Sequence, residues 1–161
     1  MKRTRKLLAQ DSIGIIDDFT VFKTVCQDIA DNIDCDLVSV WFFPEEDDCL
    51  ECKCVYKITE NTYDSGQRLM KKDYPVYFKN LIENTFVSAP TAQTHFATKE
   101  FAESYFNPNG VISMLDFILH KDFKAVGVIC CENRKGIRHW TQSDRDYLLK
   151  IATLVSGRFI S

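Results

Sequence analysis

The sequence predicts an α/β domain of the α+β kind, built on one antiparallel sheet with helices on both faces. Three observations predict it. Ala125 to Cys131 is a run of seven residues without charge or strong polarity, so this strand must be covered on both faces and lies centrally. Val111 to His120 has extended character too, and only Lys121-Asp122-Phe123-Lys124 separates the runs, the length of a hairpin connection. The elements follow the order helix, hairpin, helix, strand, helix, hairpin, helix. The terminal helices can therefore cover one sheet face and the middle segment the other.

Residues 1–18 read as an N-terminal arm or helix extension, with Ile13, Ile15 and Ile16 apolar around Gly14, and residues 19–161 as the domain. Asp17 or Asp18 can cap a helix running to about Ile33, in which Phe19, Phe22, Cys26, Ile29, Ala30 and Ile33 form one stripe. Leu37 to Phe43 reads as a strand, and Pro44 to Asp48 as an acidic turn. Leu50, Cys52, Cys54, Tyr56 and Ile58 then alternate with the wetter Glu51, Lys53, Val55 and Lys57. Glu60 to Gly66 is a polar loop, and Tyr74 to Asn84 a helix with Pro75 in its first turn. Phe86 to Ala89 is a short strand, Pro90 to Ala97 a loop and Thr98 to Phe106 a short helix. Asn107-Pro108-Asn109-Gly110 is a turn signal. Thr141 and Asp144 have the spacing of a capping box for a last helix with Tyr147, Leu148, Ile151, Ala152, Leu154, Val155 and Phe159 on a wide apolar face. That face is broader than one sheet contact requires, and no stop signal follows. Both features suggest a second surface, for a dimer or a following domain, and a chain that is the front piece of a longer one.

The 161 residues suit one domain. A net charge of -3 provides no basic field for nucleic acid, and no apolar run is long enough for a membrane span. The basic start, Lys2 to Lys6, precedes an apolar stretch too short for a signal peptide, so a cytoplasmic location is expected. Seven cysteines scattered through apparent core strands then read as free, buried thiols.

Asp116 is the sharpest local feature. A carboxylate in mid-strand, with Met114 and Ile118 on its own face, must be paired, hydrogen-bonded, protonated or beside a cavity. It is either a ligand-receiving group or an acid satisfied by a local Arg, Tyr or backbone amide. Trp41, Phe43, Tyr74, Tyr77, Phe78, Tyr105 and Phe106 can form an aromatic cavity wall, suited with Asp116 to an amine or aromatic ligand, or can simply fill core. Cys49, Cys52 and Cys54 lack the second ligand pair that a zinc site needs. Cys130 and Cys131 point to opposite faces, with Cys131 the one expected at the cavity mouth. His95, His120 and His139 are isolated. No nucleophile elbow, P-loop or dinucleotide fingerprint is present, so no cofactor, metal or catalytic residue is expected.

The chain resembles a GAF domain, the small-molecule-sensing module of signalling proteins. The resemblance is carried by Ser113-Met114-Leu115-Asp116, by Val126 to Asn133, and by Trp140-Thr141 with the closing helix, over about residues 19 to 160. Tyr74 to Phe78 and Tyr105 to Gly110 are similar to a subgroup found beside histidine kinase and diguanylate cyclase or phosphodiesterase domains. The resemblance implies six antiparallel strands, a homodimer through the terminal helices, and a ligand cavity under the middle helices. It implies a non-catalytic sensor that passes a shift in helix packing to an output domain in two-component or cyclic-di-GMP signalling. The implied ligand-facing residues are Asp116, Trp41, Phe43, Tyr74, Tyr77, Phe78, Tyr105, Met114 and Cys131. The cyclic-nucleotide signature of the family would align with Asn133-Arg134, Trp140 and Asp144-Arg145, and differs at three positions, which argues against that ligand. Arg134, Trp140 and Asp144 would then serve as a structural clasp. His95 is the candidate haem ligand in this fold class, and covalent bilin attachment lacks a cysteine between Cys54 and Cys130. Two alternatives remain: a scaffold module whose cavity is filled by its own side chains, and a thiol enzyme resembling relatives that reduce methionine sulfoxide.

Overall fold

A computed structural model describes residues 1–11, 14–44 and 48–159. Ile13 of the expected arm, most of the expected acidic turn and residues 160–161 of the closing helix lie outside the described residues. Seven strands form one antiparallel sheet: β1 (Leu37–Phe42), β2 (Cys49–Lys57), β3 (Thr62–Asp64), β4 (Arg68–Met70), β5 (Phe86–Ala89), β6 (Ser113–Lys121) and β7 (Lys124–Asn133). The order is β3-β2-β1-β7-β6-β5, with β4 also pairing on β2. β7 is central, as its apolar run requires. The β6–β7 turn has positive φ at both Asp122 and Phe123, at 49° and 65°, the twist that a two-residue hairpin turn demands. β3 and β4 fall where the sequence reads as loop or carries no assignment. Three-residue edge strands are too short to display a period, and β3 announces itself only through Tyr63, stacked on Tyr56 with ring centroids 4.4 Å apart.

The sheet divides the core in two. Val38 and Val40 of β1, Leu115, Phe117 and Leu119 of β6, and Ile129 and Cys131 of β7 face the terminal helices. Leu37 of β1, Met114 and Ile118 of β6, and Val128 and Cys130 of β7 face the middle segment. In β2 the alternation slips: Val40 pairs with Cys54 but Trp41 with Cys52, which leaves Lys53 as a bulge. Cys54 and Tyr56 therefore belong to the helix side, while Leu50 joins Val55 on the other. Gly127 is obligatory at the β1–β7 crossing, because a Cβ there would stand 2.4 Å from the carbonyl oxygen of Trp41.

On the first face lie α1 (Lys2–Gln10), α2 (Asp18–Asn32) and α5 (Gln142–Phe159). Asp17 caps α2 by accepting a hydrogen bond from the Thr20 amide at 2.9 Å. Thr4 fixes α1 to α2 with its amide and hydroxyl on Oδ2 of the buried Asp28, at 2.8 and 2.7 Å. The capping box forms as expected, Thr141 N–H donating to Asp144 and Asp144 N–H to Thr141 at 2.8 and 3.1 Å. Leu148, Ile151 and Val155 of α5 are buried and contribute about 1.5–3 kcal/mol each. The breadth of this apolar face has a largely intramolecular cause. Tyr147 donates to the Asp28 carbonyl at 2.9 Å, and Phe159 stacks on Phe22 at 4.4 Å.

The expected clasp is corrected. Arg134 pairs with Glu60 at 3.0 Å, and its backbone amide donates to Asp36. Asp144 is held by Arg138 at 3.1 Å, and the Arg138 guanidinium lies 4.3 Å from the centre of the Trp140 ring. Arg138 is six residues from Asp144 and reaches back over the turn before the helix, whereas Arg134 is drawn toward the β2–β3 end of the sheet.

On the second face lie α3 (Pro75–Glu83) and a helical segment made of a 3₁₀ turn (Lys99–Phe101), a π turn (Ala102–Phe106) and one α turn, α4 (Asn107–Asn109). The helix thus continues through the expected turn Asn107-Pro108-Asn109, and Gly110 stops it in the left-handed region at φ 67°. Glu100 accepts from the Val76 and Tyr77 amides at 3.2 and 2.9 Å, satisfying the free N–H groups at the start of α3.

Candidate functional site

Between the sheet and the middle helices is a cavity of about 320 Å³, within the size range of small-molecule sites. Its floor is the alternate residues of three neighbouring strands: Leu37, Ser39 and Trp41 of β1, Cys130 and Glu132 of β7, and Met114 of β6. Tyr74, Tyr77, Phe101, Ser104, Tyr105 and Phe106 form the roof. Lys57, Gln67, Leu69 and Asn109 also line it.

The roof is one aromatic cluster. Phe101 stacks on Tyr74 at 4.2 Å and meets Tyr77 edge-on at 4.7 Å, and the Ser104 and Tyr74 hydroxyls are 3.3 Å apart. On the floor, the Trp41 indole N–H donates to the Ser39 hydroxyl at 2.8 Å, which fixes the ring.

Two carboxyl groups sit under this roof. Asp116 pairs with Cys130 across β6–β7, and Glu132 pairs with Met114, so the two acids are diagonal neighbours with the Cys130 thiol beside both. Asp116 is fully buried. Its Oδ2 accepts from the Tyr77 hydroxyl at 2.5 Å, while its Oδ1 has no hydrogen-bond partner. Glu132 is 5% exposed. One of its oxygens accepts from the Tyr105 hydroxyl at 2.6 Å, the other from the Cys130 thiol at 3.4 Å. Burial pushes the Asp116 carboxyl up to about 6, against the opposing help of Cys130 and Tyr77. Burial likewise pushes Glu132 up to about 7, with Tyr105 and Cys130 opposing and the Asp116 charge adding to the rise. The Cys130 thiol is raised well above its ordinary value by burial and by both acids. Among the described residues neither acid forms an ion pair.

Of the residues singled out in the sequence, Trp41, Tyr74, Tyr77, Tyr105, Phe106 and Met114 meet around the cavity. Asp116 stands one layer beneath the lining, behind Tyr77. Phe43 and Phe78 pack edge to face at 6.0 Å in the core that supports it and do not line it. Cys131 is corrected: it faces the terminal helices, and Cys130 faces the cavity. A run as apolar as Ala125 to Cys131 shows no alternation, so only the pairing of Asp116 with Cys130 decides which thiol shares the acid's face. Glu132 is the principal residue that sequence reasoning passed over. Its signal was present: it follows Cys130 by two, the spacing of one strand face.

The other sequence candidates stay apart from the cavity. His95 Nδ1 accepts the Ala97 amide at 3.1 Å within its own loop. Cys49 accepts from Arg68 at 3.2 Å. Among the described residues, no group of three or more His, Cys, Asp or Glu could hold a metal ion, and no helix is long and apolar enough to cross a membrane.

Comparison with known proteins gives a consistent picture. The GAF domain family matches residues 20–159. The GAF domain from an Acinetobacter phosphoenolpyruvate-protein phosphotransferase is similar at TM-score 0.72 and 15% identity, covering 97% of this chain and 89% of that one. The GAF domain of a two-component sensor histidine kinase from Bacillus halodurans gives 0.64 and 18%, covering 88% and 94%. The chromophore-binding domain of Stigmatella aurantiaca phytochrome P1 gives 0.68 and 15%, covering 99% of this chain but only 59% of that one. At such identities the likeness is one of fold. No curated protein sequence matches the chain.

Proposed function

The chain belongs to the GAF domain family, and from that premise we propose that it is a sensory domain that binds a small molecule between its sheet and middle helices. The observation that carries this reading is the cavity of about 320 Å³, walled by aromatic rings and floored by Glu132 and Cys130. Trp41, Tyr74, Tyr77, Tyr105 and Met114 contact the ligand, and Asp116 acts from behind Tyr77. Solved structures of similar fold include a GAF domain and a further domain from two-component sensor histidine kinases, which supports a kinase output for the protein that carries this domain; a cyclic-di-GMP output is the other form of the proposal. The ligand works by favouring one of two arrangements of the terminal helices, which requires different affinities for the two. A homodimer through those helices is part of the proposal, supported by Leu149 on α5, 55% exposed. Sedimentation of wild type against Leu149→Glu measures that part. A non-catalytic role agrees with Cys130, whose thiol is shifted away from the thiolate that nucleophilic chemistry needs.

A thermal-shift screen of metabolites against wild type and Met114→Trp tests the reading. The larger ring occupies the floor, so true ligands stabilise wild type and lose their effect on the variant. Hits that bind both proteins alike lie elsewhere, and the cavity assignment is then wrong.

A further inference from the structure

We propose that the cavity selects an organic cation: a protonated amine or amidine on a compact apolar body, with its nitrogen against Glu132. This inference rests on the reading of the cavity as a ligand site and adds the charge and chemical class of what enters it.

The argument begins with charge balance. Glu132 and Asp116 bring two acids to one sheet face, and among the described residues their hydrogen-bond partners are neutral: the Tyr105 and Tyr77 hydroxyls and the Cys130 thiol. Neutral donors orient a carboxylate without cancelling its charge, and an uncompensated buried charge is costly. The cations nearby are committed or distant. Arg134, two residues beyond Glu132, extends to Glu60 at 3.0 Å. Lys57 lines the cavity, but Leu37 stands between it and Glu132 in the sheet, pairing with both. Two strand spacings, about 10 Å, therefore separate the Lys57 and Glu132 backbones. The buried Asp116 Oδ1, which has no hydrogen-bond partner, is a second sign that the polar set is incomplete.

The walls point the same way. Trp41, Tyr74, Phe101 and Tyr105 present ring surface to the cavity, and aromatic faces attract cations, most strongly when water is excluded. An anion would meet two acids, and a neutral guest would leave them uncompensated. A cation with N–H donors satisfies Glu132 directly and offsets the negative potential that it and Asp116 impose on each other.

Proton exchange supplies the signature. The titratable and charged groups around Glu132 are Asp116 on β6, Cys130 on its own strand, Tyr105 on the π turn, Tyr77 on α3, Lys57 on β2 and Arg134 beyond β7. Burial makes the two acids hold protons near neutrality. A bound cation displaces a proton from Glu132 to the buffer, so charge is conserved in the exchange.

Calorimetry with an isosteric series decides the matter: phenethylamine as cation, 2-phenylethanol as neutral body and phenylacetate as anion. At about pH 7.5 the amine binds wild type, and the other two bind at least about tenfold more weakly. Glu132→Gln lowers amine affinity by about tenfold or more. At about pH 6.5, paired buffers of different ionisation heat record proton release on amine binding to wild type and a clearly smaller release, from Asp116 alone, for the variant. Equal or tighter binding of the neutral or anionic member overturns the cation assignment, and so does an absence of amine binding. Neither result bears on the cavity itself, which stands or falls with Met114→Trp. Should Glu132→Gln fail to fold, the charge series and proton release on wild type carry the same decision.

Discussion

The Tyr77 hydroxyl lies 2.5 Å from Oδ2 of Asp116, so helix α3 is tied to the middle of the sheet through a buried phenol and a buried acid. Tyr77→Phe removes the hydroxyl donor from Asp116 Oδ2 and leaves only the weak Cys130 thiol to help the carboxylate. A loss of about 1–3 kcal/mol in urea unfolding is expected. Because Tyr77 favours the ionised form of Asp116, the loss is larger at pH 8 than at pH 5. A pH-independent difference would place the role of Tyr77 in packing.

The two acids set the direction of the pH dependence. Asp116 and Glu132 titrate higher in the folded protein, at about 6 and about 7, than in an unfolded chain. Each therefore holds its proton more firmly when folded. The stability this confers is complete below the unfolded values and is lost as pH rises through the folded ones. The unfolding free energy from urea titration should fall between about pH 5 and 8, by on the order of 2–3 kcal/mol per acid. Glu132→Gln removes its share of that slope and leaves the variant the more stable protein at pH 8. A midpoint that rises with pH in wild type would contradict the burial argument.

The closing helix offers a paired comparison. Asp144 is buried at its entrance, yet titrates below the ordinary range. Burial raises it, but the Thr141 amide and Arg138 outweigh burial. Asp144→Ala removes the cap and the Arg138 pair, at about 1–2 kcal/mol. Arg134→Ala breaks a partly exposed pair with Glu60, worth about 0–1 kcal/mol. Chemical denaturation of the two variants separates the observed clasp from the expected one.

Gly127→Ala tests the crossing of β1 and β7. Its Cβ meets backbone at 2.4 Å and the Phe42 ring at 2.8 Å, and backbone cannot step aside as a side chain can. Overpacking of this kind costs about 1–3 kcal/mol or more, read as a fall in melting temperature. Near-wild-type stability would mean that the two strands separate at little cost.

Much of this was legible in the chain because it depends on local pattern. The Asp17 cap, the Thr141–Asp144 box, the β6–β7 hairpin and the mid-strand acid each follow from neighbours a few residues away. What escaped depends on pairing. The side that Cys130 and Glu132 face is fixed by register with β6, and β7 is apolar enough to hide it. The Lys53 bulge changes which residues of β2 share a face, and only a partner strand reveals an extra residue. β3 and β4 are three residues each, too short to show a period, and exist because β2 offers them an edge. Arg138 was overlooked because family spacing pointed to Arg134, while the real geometry is a reach across a loop.

One consequence follows from the alternation in β1. Trp41 belongs to the cavity floor, and Phe42, the next residue, lies among Phe22 of α2 and Phe159 in the last turn of α5, at 5.7 and 6.4 Å. The cavity floor and the end of α5 are thus linked through a single peptide unit, rigid by resonance. Any tilt of the Trp41 indole is therefore transmitted to Phe42, whose ring already leans on the last turn of α5.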